Sequence, residues 1–159
     1  MLELKDVSVI FNQGTQLEKV ALHDMSCKIQ DGDFITLLGS NGAGKSTLFN
    51  VISGSVEVSQ GSVYMDGIDI TNEKEHVRAK NIGRLFQNPE HGTAKHLTVE
   101  ENLALAYSAR KRGLFSLAVH KEDREYFKEK LRTLDMGLED RLKTPIGLLS
   151  GGQRQAVAL

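Results

Sequence analysis

The chain has 159 residues and a formal net charge of -1, from 20 Lys and Arg against 21 Asp and Glu. That balance excludes bulk electrostatic attraction to nucleic acid or an anionic membrane, and no uninterrupted apolar run approaches the roughly 18–20 residues of a membrane span. One domain is the expectation at this length, and the single cysteine, Cys27, excludes an internal disulfide and has no metal-ligand spacing around it.

Met1 to Lys5 carries charge and alternation rather than the apolar segment of a signal peptide. Apolar residues alternate at Leu2 and Leu4, then at Val7, Val9 and Phe11. The phase changes near Asp6, which predicts a bulge or a strand change. Gly14 to Lys19 reads as a loop, Val20 to Ile29 as a second strand with Cys27 on its inner face, and Asp31-Gly32-Asp33 as a turn. An opening antiparallel sheet follows from these signals. Phe34 to Leu38 is a nearly continuous apolar run, predicting a strand buried on both faces. After the glycine-rich stretch Gly39 to Gly44, a helix is expected over Lys45 to Ser53, with Leu48, Phe49 and Ile52 on one face and Gly54 as its C-cap.

Two short runs flank Asp66-Gly67, a hairpin signal. A short helix near Glu73 to Ala79 and a strand near Ile82 to Phe86 are expected before Asn88-Pro89 breaks the pattern. Thr98 with Glu101 reads as a capping box, opening a helix to about Arg112, with Arg110, Lys111 and Arg112 in its last turn and Gly113 as a stop. A second helix, about Lys121 to Met136, places Phe127, Leu131 and Leu134 on one face. Its charge run of alternating sign, Lys121 to Glu125, reads as a solvated surface. The expected organisation is an α/β core with its antiparallel sheet over 1–88, a helical region over 89–149, and a distinct motif with the start of its helix over 150–159.

Gly39-Ser40-Asn41-Gly42-Ala43-Gly44-Lys45-Ser46 matches the phosphate-loop pattern G-x-x-x-x-G-K-S/T, between a predicted strand and a predicted helix. Glycines let backbone N–H groups wrap a phosphate, and the following helix adds the positive end of its dipole. Lys45 can reach the β- and γ-phosphates, the Ser46 hydroxyl can coordinate Mg²⁺, and Thr47 can donate to the α-phosphate. The bland alternative is a glycine-rich turn with a solvated lysine. No guanine-reading Asn-Lys-x-Asp occurs, which favours ATP over GTP.

The second motif is Leu149-Ser150-Gly151-Gly152-Gln153. The Ser150 hydroxyl and the N–H groups of Gly151 and Gly152 can point at an anion; alternatively Ser150 is a plain helix N-cap. With the phosphate loop before it, the motif resembles the LSGGQ signature of the nucleotide-binding domain of ABC ATPases. Gln87 falls where that family has its Q-loop glutamine, the alternative being a polar loop residue. Phe11 falls where the family stacks an aromatic on adenine, the alternative being an inward-packed strand residue.

The resemblance covers essentially the whole chain. It implies a P-loop α/β fold of the ABC ATPase type, with an N-terminal antiparallel β subdomain, an incomplete core sheet and a helical subdomain. It further implies ATP and Mg²⁺ as ligands, Lys45 and Gln87 as catalytic residues, and Ser46 and Gln87 as contacts to Mg²⁺. A second copy is implied, pairing head to tail so that Leu149 to Gln153 of one copy face the nucleotide of the other. Transmembrane permease subunits would dock on the helical region, with an extracytoplasmic solute-binding protein in the same system and no nucleic acid. The expected location is the cytoplasmic face of the membrane, as a peripheral subunit. Asn88 to Ala94, Glu100 to Tyr107 and Gly147 to Ala156 look most like ATPases of bacterial uptake systems, some of which handle amino acids.

The family's Asp-Glu strand, its D-loop and its switch histidine have no counterpart here. All five histidines, His23, His76, His91, His96 and His120, precede the signature. This implies that the 159 residues alone bind nucleotide poorly and do not hydrolyse it, and that Phe34 to Leu38 presents an exposed apolar edge. The competing readings are a soluble ABC ATPase acting on ribosomes or DNA, and a non-catalytic nucleotide-binding module.

Overall fold

The structure, a computed structural model, describes residues 1–88, 91–111 and 119–159, with the backbone alone at 108–111. The expected break at Pro89, the basic side chains of Arg110 to Arg112 and the stop at Gly113 lie outside the described residues. The chain forms two compact units, 1–83 and 84–159. Among the described residues no helix is long and apolar enough to cross a membrane.

In the first unit, β1 (Leu2–Phe11) pairs antiparallel with β2 (Lys19–Ile29) on one side and with β3 (Gln60–Met65) on the other. β4 (Ile68–Asp69) closes the order β2-β1-β3-β4. The phase change at Asp6 is a bulge: Asp6 has φ 49 and the β1–β2 register shifts between Leu4 and Val7. Its N–H donates to Ser26 Oγ at 2.8 Å, and Ser26 Oγ donates back to Asp6 Oδ1 at 2.8 Å. The bulge resets the alternation so that Leu4, Val7 and Val9 all face one core, each at most 2% exposed. Asp66 and Gly67 take φ 51 and 80, the paired left-handed geometry of a two-residue hairpin loop. Cys27 packs partly buried against the same core, and that burial pushes its thiol above the ordinary range.

Helix α1 (Lys45–Ser53) lies against this sheet through Leu48 and Val51, with Ile52 partly buried beside them. Phe49 was expected on that face but is 55% exposed. A step of one residue turns a helix by about 100°, which carries Phe49 off the 48/51/52 stripe. α2 is a single turn, Glu75–Arg78.

Two expected strands are not strands. Phe34 to Leu38 has no ladder partner among the described residues. Phe34 is 96% exposed and Leu38 86%, while Leu37 alone of the run packs onto the first core. Among the described residues Ile82 to Phe86 likewise has no ladder partner. An apolar run supplies the propensity, but a strand needs a neighbour for its N–H and C=O groups.

In the second unit, α3 (Val99–Lys111) and α4 (Lys121–Arg132) surround a core of Val99, Phe127, Leu131, Leu138, Leu142, Ile146, Leu149, Ala156 and Val157. The capping box is present: Thr98 N donates to Glu101 Oε2 at 2.7 Å, and Glu101 N to Thr98 Oγ1 at 3.3 Å. α4 ends at Arg132, short of Met136, because Asp135 and Gly137 turn left-handed at φ 52 and 65. Leu134 still packs on the core from the loop. The charged run is not wholly solvated, since Arg124 Nε donates to Glu100 Oε2 at 2.8 Å and ties α4 to α3. Val99 N to Thr144 O at 3.1 Å and Ile146 N to Leu97 O at 2.9 Å fasten the segment that leads into α5 (Gly151–Val157).

Candidate nucleotide-binding site

The phosphate loop is shaped by its glycines. Gly42 and Gly44 have φ 86 and 84, in the left-handed region. Gly44 is also a packing point: a Cβ there would sit 2.5 Å from the Ala21 carbonyl oxygen and 2.9 Å from Leu22 Cδ2. The loop therefore rests directly on β2. Ala43 N donates to Ser40 O at 3.2 Å, closing the curl.

α1 starts on Gly44 with no side-chain cap and no acidic residue in its first turn. Its leading N–H groups are thus left for an outside acceptor, at the positive end of the helix dipole. Lys45 Nζ donates to the Gly39 and Ser40 carbonyl oxygens, each at 2.7 Å, so the ammonium sits across the loop. Ser46 is exposed and Thr47 half-buried at the same helix end. Uncapped amides, an ammonium and a hydroxyl converge on one small volume, a donor set suited to a polyphosphate.

Phe11 ends β1 opposite Lys19 and is 39% exposed, so its ring is not packed inward. Gln87 is exposed in a bend of the second unit. In that unit Leu149 is buried at 5% and anchors the signature, while Ser150, Gly151 and Gly152 are exposed. Ser150 caps α5: its Oγ accepts from Gln153 N at 3.2 Å, and Gln153 Oε1 accepts from Ser150 N at 3.3 Å. Gln153 Nε2 also donates to Met136 O at 3.2 Å, fixing the start of α5 to the turn after α4.

Two groups beside the motifs were not anticipated. Gln155 Nε2 donates to Phe86 O at 3.3 Å, linking the signature helix to the residue before Gln87. Arg78 is 3% exposed and holds the far end of α1. Neither belongs to a spacing pattern, and both act on backbone carbonyls, which every residue carries.

Residues 22–159 match the ABC transporter family. The chain is 37% identical over 160 residues to the tyrosine transport ATP-binding protein of Clostridioides difficile (strain R20291), covering 100% of this chain and 63% of that protein. It is 38% identical over 165 residues to a phosphonates import ATP-binding protein of Lactobacillus acidophilus, covering 100% and 61%. An energy-coupling factor transporter ATP-binding protein of Caldanaerobacter subterraneus is 34% identical over 161 residues, covering 99% and 53%. The chain therefore spans between half and two thirds of the length of these curated relatives. Among solved structures, the dimeric post-hydrolysis state of the ATP-binding cassette MJ0796, bound to ADP and Pi, superposes with a TM-score of 0.82 at 30% identity, over 99% of this chain and 67% of that one. The fold is that of a P-loop ATPase of the ABC type, with its antiparallel sheet and helical subdomain. By family match, by identity and by fold, this chain belongs to the ABC transporters, as part of an ATP-binding domain.

Proposed function

We propose that this chain carries the nucleotide-binding part of the ATPase subunit of a solute importer, binding Mg-ATP at the phosphate loop. The observation that carries this reading is the uncapped start of α1 beside the Lys45 ammonium, with Gly42 and Gly44 turned left-handed to aim the backbone. Bound there, Mg-ATP supplies the phosphoanhydride whose cleavage drives transport.

The chain's own residues hold it. The amides from Ser40 to Ser46, including those of Asn41, Gly42, Ala43 and Gly44, enclose the β- and γ-phosphates. Lys45 shifts its donors from the Gly39 and Ser40 carbonyls to phosphate oxygens, which are stronger acceptors because they are charged. Ser46 is the contact to Mg²⁺, Thr47 donates to the α-phosphate, and the accessible ring of Phe11 stacks on adenine.

Leu149 to Gln153 form the surface offered to the nucleotide of a second copy. The Ser150 N-cap leaves the hydroxyl proton free to donate outward while Oγ accepts from Gln153. Permease subunits and an extracytoplasmic solute-binding protein complete the system, with this subunit on the cytoplasmic face. The import direction is supported by the names of the relatives. Near-equal identity to a tyrosine and a phosphonates ATP-binding protein supports leaving solute choice to the other subunits.

The test is calorimetric titration of Mg-ATP into the protein and into Lys45→Ala. Removing the cation from a hydrogen-bonded charge pair costs about 2–5 kcal/mol, so the variant is expected to bind at least about thirtyfold more weakly. Equal affinity in the two proteins would refute the assignment.

A further inference from the structure

Helix α1 has two functional ends. Its first turn faces the phosphate loop, and its last turn is held by one side chain, Arg78. The residue is 3% exposed, and its guanidinium spends all five of its N–H donors on main-chain carbonyls. Nη1 donates to Val51 O at 2.7 Å and Ile52 O at 3.0 Å. Nη2 donates to Ile70 O at 2.6 Å and Thr71 O at 2.9 Å, and Nε to Glu73 O at 3.0 Å.

The Val51 and Ile52 carbonyls belong to the last turn of α1, where a helix runs short of its own donors; Val51 O also accepts from the C-cap Gly54 N–H at 3.1 Å. A cation is also favoured at that end of the dipole. Ile70 and Thr71 belong to the hairpin, because Ile70 N donates to Val63 O at 2.9 Å and Val63 N to Thr71 Oγ1 at 2.9 Å. Gly54 makes the approach possible: at φ 80, a Cβ there would lie 3.0 Å from Arg78 Nε and 3.0 Å from the Glu73 carbonyl oxygen. With nine residues, α1 is about 13 Å long, short enough for the set of its last turn to bear on that of its first.

We infer that Arg78 is a positioning residue for the phosphate loop: by pinning the last turn of α1 to the β3–β4 hairpin, it sets the direction in which the amides of Gly44 to Thr47 meet a polyphosphate. The inference rests on the nucleotide-binding reading above. Lysine cannot replace it, because one ammonium can serve the α1 carbonyls or the hairpin carbonyls but not all five.

The experiment compares the protein with Arg78→Lys and with Gly54→Ala, which keeps the arginine but crowds Nε. Each is first shown to unfold cooperatively. Mg-ATP and magnesium tripolyphosphate are then titrated separately, and hydrogen exchange is followed over residues 44–47 and over β1 and β2. Folded Arg78→Lys is expected to bind both ligands about tenfold more weakly, with faster exchange at 44–47 and unchanged exchange in the sheet. Gly54→Ala is expected to shift both in the same direction, and it decides the matter if Arg78→Lys does not fold. A folded variant with unchanged affinity for both ligands overturns the inference. So does a loss for ATP without a loss for tripolyphosphate, which would place the effect at the base. Failure of the unaltered protein to bind either ligand would instead overturn the nucleotide-binding reading itself.

Discussion

Replacing Gly44 by alanine tests the seat of the phosphate loop, and Gly42→Ala is its control. Both glycines have φ near +85, so alanine at either position carries the left-handed cost of about 1–2 kcal/mol. They differ in their surroundings. Nothing lies within 4 Å of a Cβ built on Gly42, whereas one on Gly44 meets the Ala21 carbonyl oxygen at 2.5 Å and Leu22 Cδ2 at 2.9 Å. The first of those neighbours is backbone of β2, held in register by β1, and cannot rotate away. Relief requires the loop to lift by about half an ångström or more, and such overpacking costs typically about 1–3 kcal/mol. Gly42→Ala is thus expected to destabilise the fold by about 1–2 kcal/mol and Gly44→Ala by about 2–5 kcal/mol. Because the lift displaces the amides that face the ligand, Gly44→Ala is also expected to weaken Mg-ATP binding at least tenfold more than Gly42→Ala. Chemical unfolding and calorimetric titration of the two variants check both figures. Equal effects of the two substitutions would refute the reasoning.

Phe127→Ala is expected to destabilise the second unit by about 3–5 kcal/mol in chemical unfolding, because a 3% exposed ring leaves a cavity in its core. Ser150→Arg is expected to leave Mg-ATP affinity within about twofold while abolishing nucleotide-dependent pairing of two copies in sedimentation. A variant that still pairs would contradict the proposed head-to-tail contact. The Glu101 carboxylate accepts from the Thr98 N–H and hydroxyl, which hold its proton affinity below the ordinary carboxylate value. Its contribution is therefore fully present above the unfolded-state value and is lost as pH falls through the folded one. Carboxyl chemical shifts are expected to show Glu101 titrating below the ordinary carboxylate value, and Thr98→Ala, which removes the hydroxyl but keeps the backbone N–H, is expected to bring it only part of the way back.

The features that could be read from the residues are those written in local spacing. Leu2, Leu4, Val7 and Val9 report their own phase change, and the bulge at Asp6 follows from it. Asp66-Gly67 names its turn, Thr98 with Glu101 names its cap, and the phosphate loop is a contiguous pattern whose geometry is local. Part of what could not be read depends on partners distant in sequence. Phe34 to Leu38 has the composition of a buried strand, yet the same residues stand exposed where no ladder partner lies alongside. Phe49 adjoins the buried Leu48 in sequence and shares its apolar character, but one residue's rotation around the helix leaves it 55% exposed. The end of α4 was misplaced because Leu134 keeps the apolar period while Asp135 and Gly137 break the backbone. Arg78 left no mark, since a lone arginine in a polar stretch looks like any surface cation until the five carbonyls around it are seen. Phe11 carries no local spacing that chooses between stacking and inward packing, and the residue stands 39% exposed at the end of β1.

The most direct measurement is hydrogen exchange across residues 40–47 with and without saturating Mg-ATP, in the protein and in Lys45→Ala. The amides at the uncapped start of α1 are expected to be strongly protected by nucleotide in the protein and unprotected in the variant. Exchange there that ignores Mg-ATP, or protection that persists without the Lys45 ammonium, would contradict the account.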